Sequence, residues 1–177
     1  MYCGCNPTAL ASQLQISEAL VRLMERKGYS EITVSELCRE SGISRQTFYT
    51  LFHAKENVVV FTLQKKACEL PREPETDASL EQLCRCYSRY ICANRDFLRL
   101  LIESNATHLL YDSIRDSLLC CPAHAGERRW QYAADYLAGG LSGVVRRCCM
   151  DEPAPDADAL YEILYDLMSG AIFQSST

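Results

Sequence analysis

Groups that enzymes use are scarce in this chain. Its 177 residues hold three histidines, His53, His108 and His124, too scattered to form an acid–base group. There is no glycine-rich phosphate loop, no nucleophile elbow and no His-Glu-x-x-His pair. The chain is therefore read as a non-enzyme, with no catalytic residue and no cofactor expected. No apolar run is long enough to span a bilayer. The N-terminus lacks a charged region followed by an apolar core, so no secretory signal is expected and a cytoplasmic location is. No strand pattern and no internal repeat emerges.

Cysteine is the exception to this scarcity. Eleven are present, including Cys3-x-Cys5, Cys84-x-Cys86, Cys120-Cys121 and Cys148-Cys149. An odd count in a chain expected to be cytosolic argues against a disulfide framework. No Cys-x-x-Cys knuckle occurs, so zinc-ribbon geometry is not available. The best metal candidate, Cys121-Pro-Ala-His124 with Cys120 and His108 nearby, falls short of an assignment, and no metal is expected. Most of the thiols read as small hydrophobes, with a thiol-based redox switch as the alternative.

Periodicity points to helices. Ile16, Ala19, Leu20, Leu23 and Met24 form one apolar stripe. Arg26 and Lys27 are expected in the last turn of that helix, where cations complement its dipole, and Gly28 is expected to close it with φ > 0. Thr33-Val-Ser-Glu36 reads as a capping box that opens a second helix with Val34, Leu37 and Cys38 inward. Gly42 is expected to end it, Ile43 to plug the core at the turn, and Ser44 to cap a third helix fastened by Phe48, Leu51 and Phe52. Thr33 to Lys55 is thus two short helices joined by a tight turn, the arrangement by which a helix-turn-helix presents a reading helix to the major groove.

Residues 16–61 resemble the DNA-binding domain of the tetracycline-repressor (TetR/AcrR) family. The pieces that match are Gly28-Tyr29, Thr33-Val34, the Glu-Ser-Gly-Ile-Ser run 40–44, Thr47-Phe48-Tyr49, Phe52 and Lys55-Glu56. The resemblance implies an all-α fold of about nine helices: an N-terminal three-helix, homeodomain-like helix-turn-helix domain over 1–54, then a helical ligand-binding and dimerisation domain over 55–177. It implies a homodimer on double-stranded DNA. Carried over residue by residue, Ser44, Arg45, Gln46 and Thr47 open the reading helix, Tyr49 and Lys55 meet phosphates, and Thr33 caps its helix near the DNA backbone. His53 is adjacent. Arg45 can donate a bidentate pair to guanine and Gln46 to adenine. Plainer readings stay open: solvated helix side chains for Arg45 and Gln46, packing for Tyr49, capping alone for Thr33, and an ordinary surface position for His53.

Three departures from the family pattern stand out. Ala54 occupies the position before Lys55 where relatives place a capping side chain, a loss of about 1 kcal/mol. Residues 1–15 contain no basic side chain, and Ile32 stands where threonine is frequent. The first two predict fewer phosphate contacts and a shallower salt dependence.

The remainder also reads as helices: about Lys55 to Leu70, Asp77 to Ala93, Asp96 to Glu103, Ala106 to Cys120, Gly126 to Cys149 and Ala157 to Phe173, with proline-bearing loops at 71–76 and 151–156. By the resemblance, a pocket lies within this body, and Phe61, Tyr87, Tyr90, Phe97, Leu101, Tyr111, Trp130 and Tyr136 are the candidates to line it. Core packing is the alternative role for each. The last two helices are expected to pair with a second copy through Gly139, Gly140, Gly143, Leu160, Leu164 and Leu167.

Net charge is −5, yet residues 1–70 carry 8 basic and 7 acidic side chains while residues 71–177 carry 10 and 16. The acidic excess lies in the body, away from the expected DNA face. Taken together, the chain is expected to be a transcriptional regulator, a repressor that binds a near-palindromic operator as a homodimer and is released by a small-molecule inducer. A redox-responsive regulator and a helical adaptor without DNA binding are the alternatives.

Overall fold

A computed structural model of the chain describes residues 6–69, 79–120 and 126–170. Among the described residues there are nine α-helices and no strand. They are α1 (Pro7–Met24), α2 (Val34–Ser41), α3 (Arg45–Leu51), α4 (Glu56–Cys68), α5 (Leu80–Ala93), α6 (Arg95–Glu103), α7 (Thr107–Leu119), α8 (Arg128–Met150) and α9 (Ala157–Ser169). A single 3-10 turn, Tyr29–Glu31, lies between α1 and α2.

The first helix begins well before the apolar stripe that signalled it. The Asn6 side chain accepts the Thr8 backbone N–H at 3.0 Å and Pro7 occupies the first turn, a cap followed by a residue whose missing N–H is harmless there. The helix ends at Met24, so Arg22 rather than Arg26 or Lys27 is the basic residue of its last turn. Gly28 takes φ −59° and ψ 144° and does not play the left-handed role expected of it. The Leu23 carbonyl instead accepts the N–H groups of Arg26 and Lys27.

The next two helices follow the expected chemistry closely. Thr33 Oγ1 accepts the Glu36 N–H at 3.2 Å, while a Glu36 carboxylate oxygen accepts the Thr33 N–H at 2.9 Å, which completes the capping box. Gly42 ends α2 at φ 70°, a left-handed conformation that glycine adopts without steric cost. Ile43 packs partly buried against the core. Ser44 caps α3 by accepting the Thr47 N–H at 3.1 Å.

Further along, helix ends move by a few residues from expectation. α4 starts at Glu56, and Lys55 at its cap position makes no side-chain capping bond. α5 starts at Leu80 with Ser79 as its cap. The expected starts and ends at Asp77, Leu70 and Phe173, and the loop 71–76, lie outside the described residues.

One buried core runs from the head into the body. α1 packs on α2 and α4, α4 on α7, α7 and α6 on α8, and α5 on α9. α4 contributes to this core with Val58, Val59 and Leu63, all buried. Its contact with α1 includes a buried polar pair. Thr62 donates its hydroxyl proton to the Val58 carbonyl at 2.7 Å, so Ser17 must be the donor to Thr62 across the 2.8 Å contact. Asn57 adds a bond from its amide to the Phe52 carbonyl at 2.6 Å and ties α4 to the end of α3.

Glu36 links the cap of α2 to the segment just after α1. The Lys27 ammonium at 2.7 Å and then the Thr33 N–H and hydroxyl hold its carboxyl down, from an ordinary value of 4.5 to about 2. A carboxylate whose folded-state value is depressed stabilises the fold above its unfolded value and loses that contribution as pH falls toward the folded value. Urea unfolding of the wild-type chain should therefore weaken between about pH 4.5 and pH 2 by more than that of Glu36→Gln. Parallel pH profiles for the two proteins would contradict the assignment.

Candidate nucleic-acid interface

α3 is only seven residues long, and its direction is set by what it buries. Phe48 and Phe52 are fully buried and Leu51 nearly so. Phe52 meets Phe61 of α4 edge-on at 5.6 Å between ring centres. With those three inward, Ser44, Arg45, Gln46, Thr47, Tyr49 and Thr50 are left exposed on the outer side. Tyr49 is 43% exposed and leans edge-on against Phe48, so it both packs and presents its hydroxyl.

Arg45 is held rather than free. Its Nη1 donates to the Ser35 hydroxyl of α2 at 3.0 Å, which aims the guanidinium along the outer face of the helix pair. Gln46 projects freely. Thr33 is exposed and engaged in its capping box, and His53 is exposed just past α3 at φ 63°, a left-handed conformation that costs a side chain about 1 kcal/mol or more.

Lys55 departs from the role that the resemblance implied. Its ammonium turns inward, donates to the carbonyls of Tyr29 and Ile32 at 3.1 and 3.0 Å, and lies 4.4 Å from the centre of the Tyr29 ring. It clasps the turn before α2 to the start of α4. Tyr29 itself is buried, and that burial, with Glu56 second, pushes its phenol up. The basic side chains at and just beyond the end of α1 are also engaged: Arg22 and Arg26 reach Glu40 at 3.3 and 2.9 Å, and Lys27 reaches Glu36. Positive charge on this face therefore comes mainly from Arg45 and the exposed Arg39 of α2.

Sequence reasoning missed the part played by the start of α1. Its first turns lie beside α3 and leave an open groove of about 320 Å³ between them. Asn6, Thr8 and Ser12 form one wall and Gln46, Thr47 and Thr50 the other, over Ala9 and Leu51. The signal was present in Asn6-Pro7, a cap and first-turn pair, but the apolar stripe from Ile16 overshadowed it.

In the body the candidate residues separate. Phe97 and Leu101 are buried in closed core, and Phe61, Tyr87 and Tyr90 are partly buried beside α4 and α5. Burial pushes the Tyr87 phenol up to about 12, and Tyr90 donates to the Leu63 carbonyl at 3.3 Å. Tyr111 donates to Asp135 at 3.2 Å and Trp130 to the Leu118 carbonyl at 3.0 Å, so both are engaged between α7 and α8. Tyr136 is 79% exposed and lines no interior space in this protomer.

Leu160 and Leu164 need a correction as interface residues. Both are buried within their own protomer, because α9 directs them into the core on the side where it packs against α5. The outward apolar residues of α9 are Ile163 and Leu167. Gly139, Gly140 and Gly143 are exposed on α8, and a Cβ at any of them would meet nothing within 4 Å.

Among the described residues no group of three or more histidine, cysteine or acidic side chains is placed to hold a metal ion. Cys121 and His124 lie outside them. Burial pushes the thiols of Cys38, Cys84, Cys92 and Cys148 up, and that of Cys149 up to about 11, which keeps them protonated and poorly nucleophilic at neutral pH.

A two-helix unit with a buried aromatic side and an exposed polar side, set at the end of a helical body, defines a DNA-binding transcriptional regulator of the helix-turn-helix class. The family model described as "Bacterial regulatory proteins, tetR family" matches residues 16–60. The chain is 21% identical to the HTH-type dhaKLM operon transcriptional activator DhaS of Lactococcus lactis subsp. lactis (strain IL1403), over 78% of this chain and 79% of that protein. Its fold is similar to the solved structure of the dihydroxyacetone kinase operon activator DhaS, with TM-score 0.53, 19% identity and coverage of 93% and 96% of the two chains. It is also similar to a TetR-like transcriptional regulator from Rhodococcus sp. RHA1, with TM-score 0.51, 16% identity and coverage of 91% and 95%. The match to the TetR family thus lies in the helix-turn-helix head, residues 16–60.

Replacing Lys55 with methionine should keep the aliphatic stem and remove two charge-assisted bonds to backbone carbonyls, lowering stability by about 2 kcal/mol in urea unfolding. A variant as stable as wild type but weaker on DNA would return Lys55 to the phosphate-contacting role.

Proposed function

We propose that this chain is a ligand-responsive transcriptional regulator that binds a near-palindromic operator as a homodimer. The observation that carries the reading is the division of α3: Phe48, Leu51 and Phe52 inside, Arg45, Gln46, Thr47 and Tyr49 outside. Arg45 and Gln46 carry the two side-chain types that pair bidentately with guanine and adenine in the major groove. Residues 1–54 act as the reading head and 55–177 as the regulatory and dimerising body.

Dimerisation through α8 and α9 is supported by what those helices leave uncovered. Tyr132, Tyr136 and Met150 of α8 and Ile163 and Leu167 of α9 are exposed. Three glycines in the same α8 stripe each cost the helix up to about 1 kcal/mol, and nothing within the protomer requires their smallness. Close approach by a helix of a second copy accounts for them.

An effector would act through α4, which joins the body to the head. Phe61 on α4, and Tyr87 and Tyr90 on α5, the latter bonded to the Leu63 carbonyl of α4, are half-buried aromatics and the group best placed to sense a small molecule. A ligand that favours a state with misplaced heads weakens operator binding by its differential affinity, typically about 1–3 kcal/mol. Repression is the direction of control proposed here. Activation is the second reading, favoured by the name of the Lactococcus lactis relative.

Selection from a random duplex pool at stated salt should return an inverted repeat whose half-sites lie about 34–36 Å apart. Arg45→Ala and Gln46→Ala should each relax preference at one position, at a cost of about 1–3 kcal/mol on the selected site. Uniform weakening with preference unchanged would remove them from base reading. Independently, Gly140→Arg should convert a sedimenting dimer into a monomer, and a wild-type chain that is monomeric at tens of micromolar would defeat the proposed interface.

A further inference from the structure

The groove between α1 and α3 is continuous with the reading face, since Gln46, Thr47 and Thr50 belong to both. Its walls hold no charged side chain, and the first turn of α1 holds no acidic residue that would repel an anion. Part of its hydrogen-bonding capacity is already spent. Thr50 donates to the Gln46 carbonyl at 3.0 Å, and the Thr47 and Ser44 hydroxyls share a bond of 2.9 Å. The hydroxyls of Thr8 and Ser12 and the amide of Gln46 have no hydrogen-bond partner among the described residues. These are donors without charge, arrayed beside a helix that enters DNA.

We infer that this groove seats the sugar–phosphate backbone flanking the bases read by α3, with Thr8 and Ser12 as neutral phosphate donors. The inference rests on the DNA-binding reading and deepens it by naming a contact that uses no lysine or arginine. The chemistry has a distinct signature. A lysine or arginine on a phosphate releases a condensed counterion and steepens the dependence of log affinity on log salt by about 0.9 per contact. A hydroxyl donates without displacing a cation of its own. It adds affinity at every salt concentration and carries no sequence information. The absence of basic residues from 1–15 then reflects a different means of holding the backbone, and the lost affinity is smaller than a charge count implies.

The test uses the full chain on its selected duplex across a salt series. Alanine favours helix at both positions, so the double substitution Thr8→Ala with Ser12→Ala does not endanger the fold. It should weaken binding by about tenfold, equally on matched and mismatched duplexes, with the salt slope unchanged. Ser12→Lys, which places a cation in the same groove, should steepen the slope by about 0.9 per head, about 2 for a dimer. Wild-type affinity in the double variant together with an unchanged slope in Ser12→Lys would overturn the groove as a contact while leaving DNA binding intact. A wild-type chain that binds no duplex at low salt would overturn both. Loss of base preference in the double variant would also overturn the inference, because a backbone contact cannot produce it.

Discussion

Burial of Phe48 and Phe52 is the contact on which the rest of the head depends. A helix of seven residues has no stability of its own in water, since nucleation is costly and few backbone bonds follow it. α3 exists because these two rings are removed from water in the core it shares with α2 and α4. Their placement at i and i+4 leaves one direction for every other side chain on the helix. Arg45, Gln46, Thr47 and Tyr49 face outward as a geometric consequence, so the reading face and the core are two sides of one packing event.

The same core makes α4 a shared element. It carries Val58, Val59 and Leu63 into the interior, reaches α1 through the buried Ser17–Thr62 pair, and reaches the end of α3 through Asn57. Lys55 adds a clasp to the turn before α2. A buried polar pair discriminates between registers, because sliding the helices would take the acceptor from the Ser17 hydroxyl while Thr62 kept its bond to Val58. These contacts fasten the first half of α4 to the head, so the two are held as one unit.

Electrostatics plays a smaller part than DNA binding would suggest. Arg22, Arg26 and Lys27 are engaged with Glu40 and Glu36, where they hold α1 to α2. Lys55 is turned inward. What remains outward is one positioned guanidinium, a set of neutral polar groups and the exposed Arg39. Affinity on such a face comes from placed contacts, with only a weak general field.

The linear order of residues was enough to establish the all-helical class, the capping box at Thr33, the tight turn at Gly42, the cap at Ser44 and the polar edge of α3. Each of these rests on interactions within a few residues, where spacing and side-chain chemistry already specify the geometry. The inward turn of Lys55, the early start of α1 beside α3, the burial of Leu160 and Leu164 against α5, and the Ser17–Thr62 pair 45 residues apart depended on packing between distant segments. A periodic pattern identifies an apolar face, but it carries no information about which helix will cover that face. A long flexible cation such as lysine can serve a phosphate or a carbonyl equally well until the surrounding backbone is in place.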